Sequence, residues 1–211
     1  MSASGGLTIA VPRGALFGET LGLLDRIGVD TSEVRSNDRK LLFRDVGIVT
    51  MRPSDVPTYV AEGAADVGVT GKDVLMEQAE REVYELLDLG YGACTMVLAS
   101  VAGEDPMEEA RRRLGMVRIA TKYPKIAARH FAATGRQAEM IEVKGSVELA
   151  PLTGLVDGIV DLTATGTTLR ENGLVVREEI VVCTARLIAN PVAHKLKAAA
   201  IDELLERVRA A

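Results

Sequence analysis

Chemistry concentrates in Val156-Asp157-Gly158-Ile159-Val160-Asp161-Leu162-Thr163-Ala164-Thr165-Gly166-Thr167-Thr168-Leu169. The apolar residues read as a buried strand ending at Asp161, and a helix is expected to begin near Thr168. Between them, Thr163, Ala164, Thr165, Gly166, Thr167 and Thr168 make an anion cradle. Unpaired N–H groups at a helix start and threonine hydroxyls donate hydrogen bonds, and the helix dipole favours negative charge. Gly166 lets the backbone approach an anion without a Cβ in the way. A carboxylate such as Asp161 repels phosphate but accepts hydrogen bonds from sugar hydroxyls. An acid for a ribose followed by a cradle for its 5-phosphate is the logic of a phosphoribosyl diphosphate site. A threonine-rich turn also caps a helix with no ligand at all; four threonines and a glycine in six residues, after a strand ending in Asp, favour the anion. No Gly-Lys-Thr/Ser follows the loop, which disfavours a Walker-type nucleotide site.

Composition removes other chemistries. The chain has 211 residues, 25 Lys+Arg against 30 Asp+Glu, a net charge of −5 and 26% charged residues, an ordinary globular balance. That mild acidity offers no footprint for nucleic acid. Cys94 and Cys183 lie far apart with no CxxC spacing, and His130 and His194 are the only histidines, so a disulfide scaffold, a zinc finger or a His-rich metal centre is not expected. No apolar run approaches the ~18 residues of a membrane span, and Met-Ser-Ala-Ser-Gly-Gly lacks the marks of a secretory signal. A cytoplasmic protein is expected. With 3% aromatic residues and no Trp, its core must be aliphatic.

The elements that must hold the loop alternate between strand and helix. Strands are expected at Leu7–Val11, Leu41–Phe43, Gly47–Met51 (paired with the preceding one), Val67–Thr70, Val83–Leu89, Cys94–Ser100, Val117–Thr121, Met140–Val143 and Gly158–Leu162. A long extended stretch covers Leu174–Ile188. Helices are expected at Glu19–Ile27, after Ser54 or Asp55 as cap with Pro57 in the first turn, after Gly71-Lys72-Asp73, from Asp105-Pro106 to Leu114, from Pro124 to Ala133 and over Ser146–Leu149. A closing helix runs from Asn190-Pro191 to Arg209, with Leu196, Ala199, Leu204, Leu205 and Val208 as its apolar stripe. Alternation of this kind predicts an α/β protein with mostly parallel sheets and ligands at the carboxyl ends of strands. Ala65-Asp66-Val67-Gly68-Val69-Thr70-Gly71 and Val156-Asp157-Gly158-Ile159-Val160 echo one another about half a chain apart, suggesting two similar α/β lobes.

Several segments together carry a more specific resemblance. The loop, Asp38-Arg39-Lys40 before Leu41-Leu42-Phe43, Arg52-Pro53-Ser54-Asp55-Val56-Pro57-Thr58-Tyr59-Val60, Gly71-Lys72-Asp73-Val74-Leu75, Ala120-Thr121-Lys122-Tyr123-Pro124 and Gly145-Ser146-Val147-Glu148-Leu149-Ala150-Pro151 resemble the catalytic subunit of the ATP phosphoribosyltransferase family, from Leu7 to about Arg209. The resemblance implies two lobes like a type II periplasmic binding protein, with the active site in the interlobe cleft. Lobe I would comprise residues 1–90 and 180–211, and lobe II residues 91–179 with the loop. It further implies the short form, without a C-terminal regulatory domain. Such enzymes form a hetero-octamer of catalytic homodimers with a regulatory subunit resembling histidyl-tRNA synthetase.

The implied reaction joins N1 of ATP to C1 of phosphoribosyl diphosphate and expels pyrophosphate, the first step of histidine biosynthesis, with Mg²⁺ bound mainly through substrate phosphates. The resemblance points to Arg39 and Arg52 as the diphosphate clamp, Asp161 on the ribose hydroxyls with Asp157 as a second acid, and Thr163–Thr168 on the 5-phosphate. Arg13 joins the substrate contacts, as do Lys72, Asp73 and Glu148; no metal-ligand set is assigned. Arg13 and Ala15 stand where the family has Lys and Arg, and Thr95 stands where Arg is usual. The rival reading is a two-lobed sensor of a phosphorylated small molecule. A phosphoribosyltransferase of the other common fold would carry two adjacent acids before the loop, whereas Asp157 and Asp161 are four apart.

Overall fold

Ile9–Pro12 (β1) is buried at every position, the pattern of a strand covered on both faces. In the computed structural model, which describes residues 6–211, it is followed by Phe17–Arg26 (α1), Ser32–Ser36 (α2), Leu42–Phe43 (β2), Ile48–Met51 (β3), Val56–Ala61 (α3), Val67–Gly71 (β4), Lys72–Glu77 (α4) and Tyr84–Asp88 (β5). Leu21, Leu24 and Ile27 turn the apolar face of α1 into the core, as their spacing predicts. The chain then builds Cys94–Val101 (β6), Pro106–Leu114 (α5), Val117–Thr121 (β7), Pro124–Ala133 (α6), Ala138–Glu142 (β8), Leu149–Leu152 (α7), Gly158–Thr163 (β9), Thr167–Glu171 (α8) and Leu174–Cys183 (β10). Ala185–Ala189 (β11), Pro191–Leu196 (α9) and Ala198–Ala210 (α10) close it. Two units result: the chain up to Gly92 with Thr184–Ala211, and Ala93–Cys183. Each has one sheet, in the orders β2-β3-β1-β4-β11-β5 and β10-β6-β9-β7-β8.

Both sheets are mixed, not mostly parallel. Among the described residues, β1 runs parallel to β3 and β4, and β7 parallel to β8 and β9. The other five pairings, β2–β3, β4–β11, β5–β11, β6–β9 and β6–β10, are antiparallel. The reason is connectivity. β6 and β10 are the outgoing and returning ends of the second unit, and β11 re-enters the first sheet against the direction of β4. The long stretch 174–188 therefore splits at Thr184 into strands of different sheets.

Local chemistry explains both ends of α5 and the start of α9. Asp105 caps α5 by accepting from Met107 N at 3.0 Å. Glu108 and Glu109 lie in its first turn and Arg111–Arg113 in its last, which suits the dipole, and Gly115 ends it at φ 75°. Arg111 and Arg113 pair with Glu108 and Glu109 on the solvated face. Asn190 caps α9 through Ala193 N at 2.8 Å while its amide donates to Val60 O and Ala61 O. That one buried side chain ties the end of β11 to the end of α3.

Elsewhere the expectations need correcting. Neither Ser54 nor Asp55 caps α3: Pro53–Asp55 forms a 3₁₀ turn that puts Asp55 itself in helical geometry, so it lacks the extended backbone an N-cap uses. The helix expected over 146–149 lies at Leu149–Leu152, after a turn closed by Ala150 N on Val147 O at 3.0 Å. The closing helix breaks at Lys197, whose ammonium reaches Asp66 Oδ2 at 2.8 Å. Leu196, at the end of α9, is consequently 77% exposed, and Ile201 takes its place beside Leu204 and Leu205. No helix among the described residues is long and apolar enough to cross a membrane.

The sequence echo has a structural counterpart. Asp66 N donates to Thr8 O (2.9 Å) while Asp66 Oδ2 accepts from Thr8 N (2.8 Å). Asp157 N donates to Arg118 O (2.9 Å) while Asp157 Oδ2 accepts from Arg118 N (2.7 Å). In both units an aspartate just before a central strand clasps the start of its parallel neighbour.

Candidate functional site

In the second unit the strand does not end at Asp161; β9 continues to Thr163. Asp161 and Thr163 are two apart, so they project from the same face. Their cross-strand partners on β6 are Val97 and Thr95. Asp161, Thr163, Ala164, Thr165, Thr167, Thr168, Glu148 and Val97 line one pocket of about 180 Å³. The loop is held from within. Thr163 Oγ1 accepts from Gly166 N at 2.8 Å, and the Thr165 and Thr167 hydroxyls share a 2.9 Å hydrogen bond. Gly166 sits at φ 70°, a left-handed conformation that favours glycine. The first helical bond of the turn is Arg170 N to Gly166 O, at 3.1 Å. The N–H groups of Thr168 and Leu169 therefore precede the intrahelical ladder, as at any helix start.

Asp161 is 7% exposed. Burial pushes its carboxyl above the ordinary value of 3.8 and Glu148 adds to that rise, while the Leu162 N–H and Lys122 oppose it. The Leu162 N–H bond is 2.8 Å long and Lys122 Nζ stands 3.6 Å from Oδ2. The pocket thus combines two carboxylates, hydroxyl donors and a helix start, with Lys122 paired to one of the carboxylates: acceptors for hydroxyls beside donors for an anion. Asp157 is not part of it. It lies at the opposite end of β9, its carboxylate engaged with Arg118 N.

The candidates of the first unit gather at the carboxyl ends of its parallel strands. Arg13 follows β1, Arg52 follows β3, and Lys72 and Asp73 follow β4. Because β1 pairs in parallel with both neighbours, these ends share one sheet edge. Arg13 Nε donates to Thr50 Oγ1 and its Nη2 to Lys40 O, both at 3.0 Å, and Asp38 lies 3.9 Å from Nη1. It thereby anchors the 38–40 segment that carries Arg39. Arg39 and Arg52 themselves are exposed. Lys72 Nζ is paired with Glu85 at 2.6 Å. Asp73 is 8% exposed and folds back over Gly71, where an added Cβ would stand 2.1 Å from its Oδ1.

Some residues of these clusters carried no signal of their own. Arg170 donates to Thr165 O (3.0 Å) and Thr167 Oγ1 (3.1 Å), adding a cation to the loop; its place in the turn after the threonines was the only hint. Val97 enters the pocket purely through strand register. His130, which is part of neither cluster, is held by Glu178 (3.1 Å) and Arg136 (2.9 Å) in a clasp between α6 and β10. Cys94 is half-buried, not a core residue, whereas Cys183 is buried.

Residues 52–210 match the family model described as ATP phosphoribosyltransferase. An ATP phosphoribosyltransferase of Rubrobacter xylanophilus is 54% identical over 206 residues, 96% of this chain and 95% of that protein. One from a Geobacillus species is 46% identical, over 96% of this chain and 97% of its own length. Among solved structures, the ATP phosphoribosyl transferase (HisG:HisZ) complex from Thermotoga maritima matches with a TM-score of 0.82 and 35% identity, covering 97% of each chain.

Proposed function

The chain belongs to the ATP phosphoribosyltransferase family, and we propose from that membership and the geometry above how its residues carry the transfer. The reaction is the first step of histidine biosynthesis: N1 of ATP displaces pyrophosphate from C1 of phosphoribosyl diphosphate. The observation that carries the residue reading is the pocket in which buried Asp161 and the 163–168 loop lie side by side. Asp161 accepts from the ribose hydroxyls, and the hydroxyls and N–H groups of Thr163–Thr168 hold the 5-phosphate, with Arg170 supplying charge behind them.

Bond breaking leaves positive charge on the ribose and negative charge on the departing diphosphate. Fixed dipoles and charges meet both without reorganising, so positioning and electrostatics suffice and no covalent intermediate is needed. The Asp161 carboxylate suits the first charge, with Lys122 beside it opposing the upward push of burial on its pKa. Arg39 and Arg52 answer the second; guanidinium groups match phosphate oxygens two at a time. Arg13 keeps Arg39 in place, and Lys72 with Asp73 contacts the nucleotide.

Mg²⁺ fits this arrangement as a substrate-borne ion. No group of three or more metal-ligating side chains occurs among the described residues. Magnesium typically keeps several waters and takes one or two carboxylates plus phosphates, a demand Asp161 and Glu148 can meet. When bound it neutralises diphosphate charge.

We further infer a cytoplasmic enzyme whose catalytic homodimers assemble with a histidyl-tRNA-synthetase-like regulatory subunit into a hetero-octamer. Support comes from the solved relative, which is a HisG:HisZ complex. We take the two lobes of that reading to be the two compact units, bounded at Gly92 and Cys183, in place of the expected 1–90 with 180–211 and 91–179.

The test is pyrophosphate release from ATP, phosphoribosyl diphosphate and Mg²⁺. Replacing Arg39 and Arg52 together by Ala should lower kcat/KM by about 100-fold or more, the loss of two charge-assisted contacts at 1.5–3 kcal/mol each. Undiminished activity in that double variant would remove both arginines from the clamp.

A further inference from the structure

Cys94 and Cys183 are 89 residues apart in sequence yet directly opposite each other in the β6–β10 ladder. Residues opposed in an antiparallel pair have Cα atoms about 4.5–5.5 Å apart and side chains on the same face. That separation falls inside the roughly 4.4–6.8 Å range a disulfide spans. The pair is asymmetric: Cys94 is half-buried and Cys183 is 1% exposed. It is also placed where strand geometry matters. The next residue, Thr95, pairs across β6–β9 with Thr163, the first threonine of the loop. Cys183 is the last residue before the chain returns to the first unit.

We propose that Cys94 and Cys183 form a reversible cross-strand disulfide, with a low-molecular-weight disulfide such as oxidised glutathione as oxidant, and that closing it weakens the grip of the 163–168 loop on a phosphorylated ligand. The accessible Cys94 thiolate attacks one sulfur of the oxidant, whose S–S bond breaks and releases one glutathione thiolate. Cys183, losing its proton, attacks the Cys94 sulfur and expels the second glutathione as thiolate. The two protein sulfurs lose two electrons, the oxidant gains them, and the two cysteine protons end on the released thiolates. Access of the first thiol and approach of the second are what govern such exchange. The new bond draws the end of β6 toward β10 and so pulls Thr95 away from Thr163, because β6 lies between β10 and β9. Displacements well under 1 Å at a binding loop suffice for an affinity loss of about tenfold, since a 1 Å misplacement can cost ~100-fold.

The functional half of the proposal rests on the loop reading above, so the test separates the two. The full-length chain is equilibrated in glutathione buffers of graded ratio and measured by intact mass, by thiol titration and by binding of phosphoribosyl diphosphate with Mg²⁺. Wild type should lose two hydrogens without gaining glutathione or dimerising, bind about tenfold more weakly when oxidised, and recover with dithiothreitol. Cys183→Ala should stop at a mixed disulfide on Cys94. Cys94→Ser, which leaves the buried position intact, should bind like reduced wild type at every ratio. Failure to form the intramolecular bond in the native chain overturns the proposal, as does a bond that leaves binding unchanged. Reduced protein that binds no phosphoribosyl diphosphate would refute the loop reading instead, and the mass measurement would still decide whether the disulfide forms.

Discussion

Asp161→Asn tests the site through two quantities that move in opposite directions. The carboxyl is buried, and burial is the largest influence on it, raising its pKa above 3.8. The folded chain therefore holds the Asp161 proton more tightly than the unfolded one does. Stability from this group is fully present below about pH 3.8 and is lost as pH rises through the elevated native value, so at neutral pH the ionised carboxylate is a cost. Asparagine keeps an oxygen for the Leu162 N–H and removes the charge. What it forfeits is the Lys122 contact, at 3.6 Å to a lysine side chain that is 39% exposed, a pairing worth no more than ~1 kcal/mol. The variant should match wild type at pH 7 or exceed it by up to about 1 kcal/mol, some 2–4 °C in Tm for a chain of this size. That advantage should fade as pH falls toward 4. Catalysis should move the other way. An amide cannot accept from two ribose hydroxyls as a carboxylate does, and losing about 2–4 kcal/mol of charged hydrogen bonding lowers kcat/KM roughly 30- to 1000-fold. Thermal denaturation from pH 4 to 8 together with steady-state pyrophosphate release reads both. Activity within threefold of wild type would refute the ribose contact. A stability deficit at pH 7 that persists unchanged at pH 4 would refute the desolvation argument.

Two further substitutions probe the packing inside each unit. At Gly158 an added Cβ would lie 2.5 Å from Met107 Sδ and 3.1 Å from Ala99 O. Gly158→Ala should cost about 1–3 kcal/mol in urea denaturation, and shortening Met107 to Ala in the same chain should recover part of it but not the backbone clash. Asn190→Ala removes one buried cap and the amide donor to the Val60 and Ala61 carbonyls, of which Val60 O keeps the Gly63 N–H; a loss of about 1–3 kcal/mol is expected, whereas purely surface behaviour within about 0.5 kcal/mol would contradict the tie between β11 and α3.

Much of this protein was readable from local chemistry. The strand at Val117–Thr121, the helix from Pro124 to Ala133 and the capped helix after Asp105 appear where short-range rules put them, because β-branched runs, N-terminal prolines and capping side chains act within a few residues. The loop after β9 was equally plain as a cluster of donors, since threonines and a glycine declare their chemistry without a partner. Direction and register were not readable this way. Nothing within Leu174–Ile188 says that the chain changes sheet at Thr184, because a strand takes its partner from whichever edge the rest of the fold presents. For the same reason Asp157 and Asp161 look alike in sequence but part company in space: one satisfies a neighbouring strand's N–H, the other lines a pocket beside Lys122 and Glu148. The pairing of Cys94 with Cys183 belongs to this second class. Residue types and local spacing determined which elements form and what groups they carry; backbone hydrogen bonding between distant segments decided which of those groups meet.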